Sequence, residues 1–126
     1  MVRAIEIFVL LSLGVVGLSH VTQPRAWRAF FEKLFGLGPM GALLNGMMSL
    51  SFGSLIVAFH DVWSGWAMVI TLIGWAQVLK GTLHLCVPGL GLRSMRLVEH
   101  NAERKFMVAG AAMIAVVTVL GVKLFA

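Results

Sequence analysis

The chain has 126 residues, of which 60% are apolar and 12% charged, against about 45–50% and about 25% in soluble domains. That balance excludes an ordinary soluble domain and fits one domain, residues 1–126, of four membrane spans at about 20 residues each. The net charge of +5 does not indicate nucleic acid, because the basic residues gather at span ends. The single cysteine, Cys86, leaves no intramolecular disulfide and no multi-thiolate metal site.

The first expected span covers about residues 4–21. Glu6 interrupts its apolar run, so a retained helix is expected rather than a cleaved signal peptide. Residues 22–38, TQPRAWRAFFEKLFGLG, differ in character. Pro24 suits a first helical turn, and Trp27, Phe30, Phe31 and Leu34 share one face by their 3- and 4-residue spacing. Arg25, Arg28 and Glu32 fall on the opposite face. The segment predicts an interfacial amphipathic helix over about 24–35, apolar side toward the acyl chains.

The second span is expected over 39–59 and the third over 63–87, joined by His60-Asp61-Val62. Trp63 and Trp66 then sit at headgroup level, as do Arg25, Trp27, Arg28 and Lys33 on the opposite side. A polar, basic stretch, PGLGLRSMRLVEHNAERK, separates the third span from a fourth over 106–125. Arg25, Arg28 and Lys33 in one loop, and Arg93, Arg96, Arg104 and Lys105 in the other, face the cytoplasm by the positive-inside rule. Both termini and the 60–62 turn then lie outside.

His20 and Pro24 recur 64 residues later as His84 and Pro88, and Gly17 and Gly46 recur as Gly81 and Gly110. This pattern suggests a tandem two-helix repeat with its axis along the membrane normal. Chance likeness of helix ends is an equal explanation in so glycine-rich a chain. Small residues line one face of every span: Gly14 and Gly17; Ala42, Gly46, Ser49 and Gly53; Ala67, Thr71, Gly74 and Gly81; Ala111, Ala115 and Thr118. Such seams let helix backbones approach in lipid, and the fold expected is an all-α, integral membrane four-helix bundle. The methionines at 40, 47, 48, 68, 107 and 113 read as gap-fillers rather than copper ligands.

Trp66, Ile70, Ile73, Gln77, Lys80 and His84 step by 4, 3, 4, 3, 4 and form one stripe, apolar outside and polar inside. Lysine at a helix centre costs about 2.5–3.5 kcal/mol on insertion scales. Lys80 lies about 12 Å from Pro88 at 1.5 Å per residue, close enough to snorkel to the headgroups. The other option is an inner polar cluster of His20, Asn45, Ser49, Gln77, Lys80 and His84, since unpaired polar groups in hydrocarbon are costly. Such a cluster suits an anion, a lipid headgroup or proton passage. His20 and His84 also raise the option of axial ligation to a haem, while no cofactor and no metal site is otherwise expected. His60 and Asp61 read as a solvated turn.

The stretch AFHDVWSGWAMVITLIGWAQVLKG, with its His-acid-x-Trp turn and Thr-Leu-x-Gly-Trp span ending in lysine, and the Pro24–Trp27 segment, resemble small uncharacterised four-helix proteins of the bacterial inner membrane. The resemblance implies class and location and no activity. The leading expectation is a non-enzymatic accessory or scaffold subunit, in contact with the bilayer and with a homo-oligomer or larger membrane complex. A small oligomeric transporter or channel around Lys80, and a haem subunit, are the alternatives.

Overall fold

The three prolines set the punctuation of the chain. The residue before a proline is pushed away from helical backbone, while proline itself suits the first helical turn. In the computed structural model, which describes residues 1–96 and 101–126, Pro24, Pro39 and Pro88 each open a helix. Helix α1 (Val2–Thr22) ends before Pro24 with Gln23 at φ −129°, and α4 (Met68–Cys86) ends before Pro88 with Val87 at φ −131°. Between them lie α2 (Pro24–Gly36) and α3 (Pro39–Phe59); α5 (Pro88–Arg96) and α6 (Ala102–Phe125) follow. Asn101, at φ 54°, occupies the left-handed region that asparagine tolerates and turns the chain into α6.

The protein is all-α among the described residues, and α1, α3, α4 and α6 are long and apolar enough to cross a membrane. Two differences from the expected boundaries matter. The third long helix starts at Met68, not Trp63, because Gly65 at φ +64° breaks the chain within a turn. Trp63 and Trp66 therefore precede the helix, and the polar stripe begins at Ile70. The basic stretch after Pro88 holds a short helix, α5, that periodicity did not reveal; the part of that stretch at 97–100 lies outside the described residues.

Packing is dominated by two helix pairs, α3 with α4 and α1 with α6. Both are built by glycine. A Cβ on Gly53 would lie 2.6 Å from Val78 N and 2.7 Å from Gly74 O, and one on Gly81 would lie 2.6 Å from Leu50 N and 2.8 Å from Gly46 O. In the other pair, a Cβ on Gly110 would lie 2.5 Å from Gly17 O, and one on Gly17 2.9 Å from Met113 Cβ. The α3 seam of Ala42, Gly46, Ser49 and Gly53 is buried throughout, as the sequence suggested. The α6 seam is not: Ala111, Ala115 and Thr118 face outward, and Gly110, Phe106 and Leu120 are buried instead. Thr118 satisfies its hydroxyl on Ile114 O of its own helix, which frees that face for lipid. Met40, Met47, Met48 and Met107 are likewise exposed rather than filling gaps.

The two pairs meet at the end that carries both termini. Ile5, Val9, Ile56, Ile70 and Leu120 form one core there, with Phe8 against Phe52 at 5.4 Å. Beside it runs a buried polar chain that corrects the reading of His60 as part of a solvated turn. His60 is fully buried; its Nδ1 lies 2.8 Å from Thr71 Oγ1, and its Nε2 faces Glu6 Oε1 at 3.5 Å. Thr71 donates to Val62 O at 2.8 Å and accepts from Val62 N–H at 3.2 Å, so His60 Nδ1 carries the proton of that bond. Arg3 reaches Glu6 at 3.3 Å and Leu124 O at 3.0 Å. This network ties α1, the end of α3, α4 and α6 together.

The opposite end is closed by α2 and α5. Leu34, Ala42 and Met95 form a second core across α2, α3 and α5. On the aromatic face of α2, Leu34 is buried, Trp27 and Phe31 are half-buried against α1 and α6, and Phe30 is exposed. Trp27 stacks on His20 at 4.1 Å, and Phe31 stacks on Phe106 at 5.3 Å. Leu34 O sits where Gly41 would carry a Cβ, only 1.7 Å from that position, so any side chain there forces α2 off α3.

Three substitutions test this packing. Gly53→Ala, which must push α3 from the α4 backbone, is expected to cost about 1–3 kcal/mol as overpacking, read as a lower melting temperature in detergent. Gly121→Ala, which meets nothing within 4 Å, should leave melting unchanged or slightly raised. Thr71→Val keeps the side-chain shape but strands Val62 O and His60 Nδ1, and should cost about 1–3 kcal/mol; equal melting of wild type and variant would refute the role given to the hydroxyl.

Candidate functional site

The glycines of α4 determine where its polar residues point. Gly74 and Gly81 are turned into α3, which sets Gln77 beside Gly53, its Cβ 2.9 Å from the position of a Cβ there. The next residues around the helix, Lys80 and His84, lie at the flank of the α3–α4 interface, under α5. They line a cavity of about 540 Å³ with Asn45 of α3 and Ser94 of α5. The rest of its wall is apolar: Phe31, Ala76, Leu79, Leu83, Leu90, Gly91 and Met95. Leu79 and Leu83 are 62% and 41% exposed, so the cavity opens sideways from the helix bundle rather than along its axis.

Three polar groups in this groove have unmet bonding capacity. The first is Lys80, which has no carboxylate within ion-pair distance among the described residues. The second is Asn45, 3% exposed, whose amide makes no hydrogen bond among the described residues. The third is His84, 4% exposed. Its Nδ1 donates to Lys80 O at 2.9 Å, since a carbonyl can only accept, and its Nε2 is buried without a partner. A buried polar atom without a partner costs about 1–3 kcal/mol, so such atoms mark places that a ligand can satisfy. Ser94 donates to Gly91 O at 2.8 Å and keeps acceptor capacity.

Of the six residues the sequence placed in one polar cluster, the fold brings three together: Lys80, His84 and Asn45. Ser49 is buried on the α3 seam, and Gln77 turns toward Gly53; neither lines the cavity. His20 belongs to the other helix pair. It bonds Val16 O at 2.8 Å, stacks on Trp27, and lies 5.5 Å from Phe106. His20 is not among the residues that line the cavity with His84. Ser94, Gly91 and Met95 were missed because they lie on α5, whose position over α4 no local pattern encodes.

The expected headgroup-level residues divide as well. Arg25 is exposed and lies 3.9 Å from Glu103, and Arg28 bonds Glu32 at 2.9 Å and approaches Glu103 at 3.7 Å. The Glu32 hydrogen bond first, and then the Glu32 and Glu103 charges, hold the Arg28 guanidinium above its ordinary pKa range. Lys33 is exposed. Trp27 is drawn inward, its indole donating to Ser19 Oγ at 2.9 Å. Trp63 and Trp66 are exposed at the opposite end, where Trp63 donates to Asp61 and the Lys123 ammonium lies 5.5 Å over Trp66.

The arrangement suits reversible binding of a group that carries negative charge and apolar bulk. Lys80 and the Asn45 amide donate, and His84 Nε2 accepts, or donates once protonated. No group of three or more histidine, cysteine, aspartate or glutamate side chains is placed to hold a metal among the described residues. Comparison with family models, with curated proteins and with solved structures finds no match for this chain.

Proposed function

We propose that the chain is a multi-pass inner-membrane protein with a non-enzymatic, accessory role, and that its working surface is the groove beneath α5. The observation that carries this reading is a lysine set beside the buried, unpartnered His84 Nε2 and the unbonded amide of Asn45, in a cavity that opens sideways. A chain that needed Lys80 only for anchoring would turn it to the headgroups and would leave no such groups around it. Catalysis is disfavoured by the chemistry of the groove: Ser94 and His84 each bond a backbone carbonyl and not each other, so neither activates a nucleophile. The basic residues around α2 and α5 make that end the cytoplasmic one under the positive-inside rule.

Conduction through a single chain has less support than binding. Between the groove and the Glu6–His60 chain, the α3–α4 interface is filled by Gly53 against Gly74 and by buried Ile56 and Ile70. An oligomeric transporter would need a path between copies, and the outward faces of these helices are apolar.

Occupancy of the groove is testable without knowing the occupant. In a Cys86→Ser background, a Ser94→Cys thiol in native membranes should react with a small maleimide several-fold more slowly when Lys80 is present than in Lys80→Met. Equal rates in the two proteins would refute an occupied groove.

A further inference from the structure

The groove has a counterpart without a groove in the same molecule, and the comparison identifies what made it. At the α1–α6 crossing, His20 Cβ lies 2.7 Å from where Gly110 would carry a Cβ, with Gly17 O beside it. At the α4–α3 crossing, His84 Cβ lies 2.8 Å from that position on Gly46, with Gly81 O beside it. These residues correspond at the 64-residue offset. In both places the histidine Nδ1 bonds the carbonyl four residues earlier. The helix that follows then differs at one decisive position. On α2, Trp27 lies across the His20 ring and covers it. On α5 the residue at the same offset is Gly91, whose missing side chain would come within 2.7 Å of His84 Cδ2. An indole covers the ring at one site; at the other the α5 backbone comes up to the His84 ring at Gly91, and the groove opens beside that contact, along Asn45, Lys80 and Ser94. The hollow near Trp27 is about 290 Å³, lined by Ser19, Ala26, Trp27 and Phe30, and carries no charged group.

We infer that the Gly91 side of this pair binds an anionic membrane lipid, its headgroup at Lys80, Asn45 and His84 Nε2 and an acyl chain along Ala76, Leu79 and Leu83. The inference rests on the groove reading above and names its occupant. The polar groups are at the inner end of the groove and the exposed leucines at its lateral mouth, which matches a lipid entering from the bilayer. The charge-assisted bond that the Lys80 ammonium offers suits a phosphate.

A second copy of this chain fits less well. The sequence holds five carboxylates. Glu6 is buried and bonded, and Glu32, Asp61 and Glu103 stand at helix ends; Glu99 lies far from any span centre in sequence. None can reach Lys80 of a neighbour from within a span. A free inorganic anion would leave most of the wall, which is apolar, without a partner.

The test uses the full chain reconstituted in phosphatidylcholine vesicles that contain a few per cent phosphatidylglycerol. The protein is extracted into mild detergent, and retained lipid is counted by native mass spectrometry. Wild type should hold one phosphatidylglycerol. Lys80→Met, and Leu83→Trp, which fills the mouth from an exposed position, should each lower retention by roughly tenfold or more. Arg93→Gln/Arg96→Gln, which removes surface charge beside the groove, should retain it. Circular dichroism and melting identify any variant that fails to fold; Leu83→Trp and Lys80→Gln are then the deciding proteins. Equal retention in wild type and the groove variants overturns the inference. So does displacement of the lipid by millimolar glycerol phosphate with Lys80-dependent but Leu83-independent affinity, which would make a soluble anion the ligand. Ser94→Cys protection that persists without phosphatidylglycerol retention leaves the groove reading standing and removes this lipid as its occupant.

Discussion

Backbone contact at glycine is the constraint on which the rest depends. In a membrane the hydrophobic effect does not drive helices together, since lipid tails are as apolar as leucine; close van der Waals approach must do so. Gly53 and Gly81 put the α3 and α4 backbones in contact, and Gly17 and Gly110 do the same for α1 and α6. That approach fixes the rotation of each helix about its axis. With Gly74 and Gly81 turned into α3, Lys80 has no choice but the flank of the interface. The groove is in this sense a consequence of packing, because the residues that hold the pair together decide which way the charged one looks.

Polar groups are handled in opposite ways at the two ends. At the end with the termini, Arg3, Glu6, His60, Thr71 and the Val62 backbone form a closed chain in which most partners are mutual. Its geometry places a proton donor of His60 on Thr71 and leaves His60 Nε2 3.5 Å from Glu6 Oε1. At the α2/α5 end, Asn45, Lys80 and His84 lack such partners. His60 Nε2 and His84 Nε2 both lack a hydrogen-bond partner among the described residues, but only His84 lines a cavity that also holds Lys80 and Asn45.

The covering helices decide how open each crossing is. Helix α2 brings two aromatic rings, Trp27 and Phe31, onto His20 of α1 and Phe106 of α6, whereas α5 brings Gly91 against His84 of α4 and Ser94 to the groove. Where α2 lays an indole on its histidine, α5 has a glycine that lets its backbone approach the His84 ring. Beside that contact lies the cavity lined by Lys80.

Sequence by itself determined the elements: four apolar runs of span length, three prolines that open helices, and a glycine seam on α3 that the structure buries as its spacing predicted. It also placed Asn45 near the depth of Lys80, and His20 near that of His84, because rise per residue along a helix is fixed. Tertiary structure alone decided which polar residues share a space. Depth says nothing of azimuth, and azimuth depends on which small residues find a partner; hence His20 and Ser49 left the cluster and Ala111, Ala115 and Thr118 faced outward. Ser94 and Gly91 entered it from α5, a helix of nine residues whose contribution comes wholly from where it docks. Burial of His60 was hidden for the same reason, since its partners Glu6 and Thr71 come from different helices.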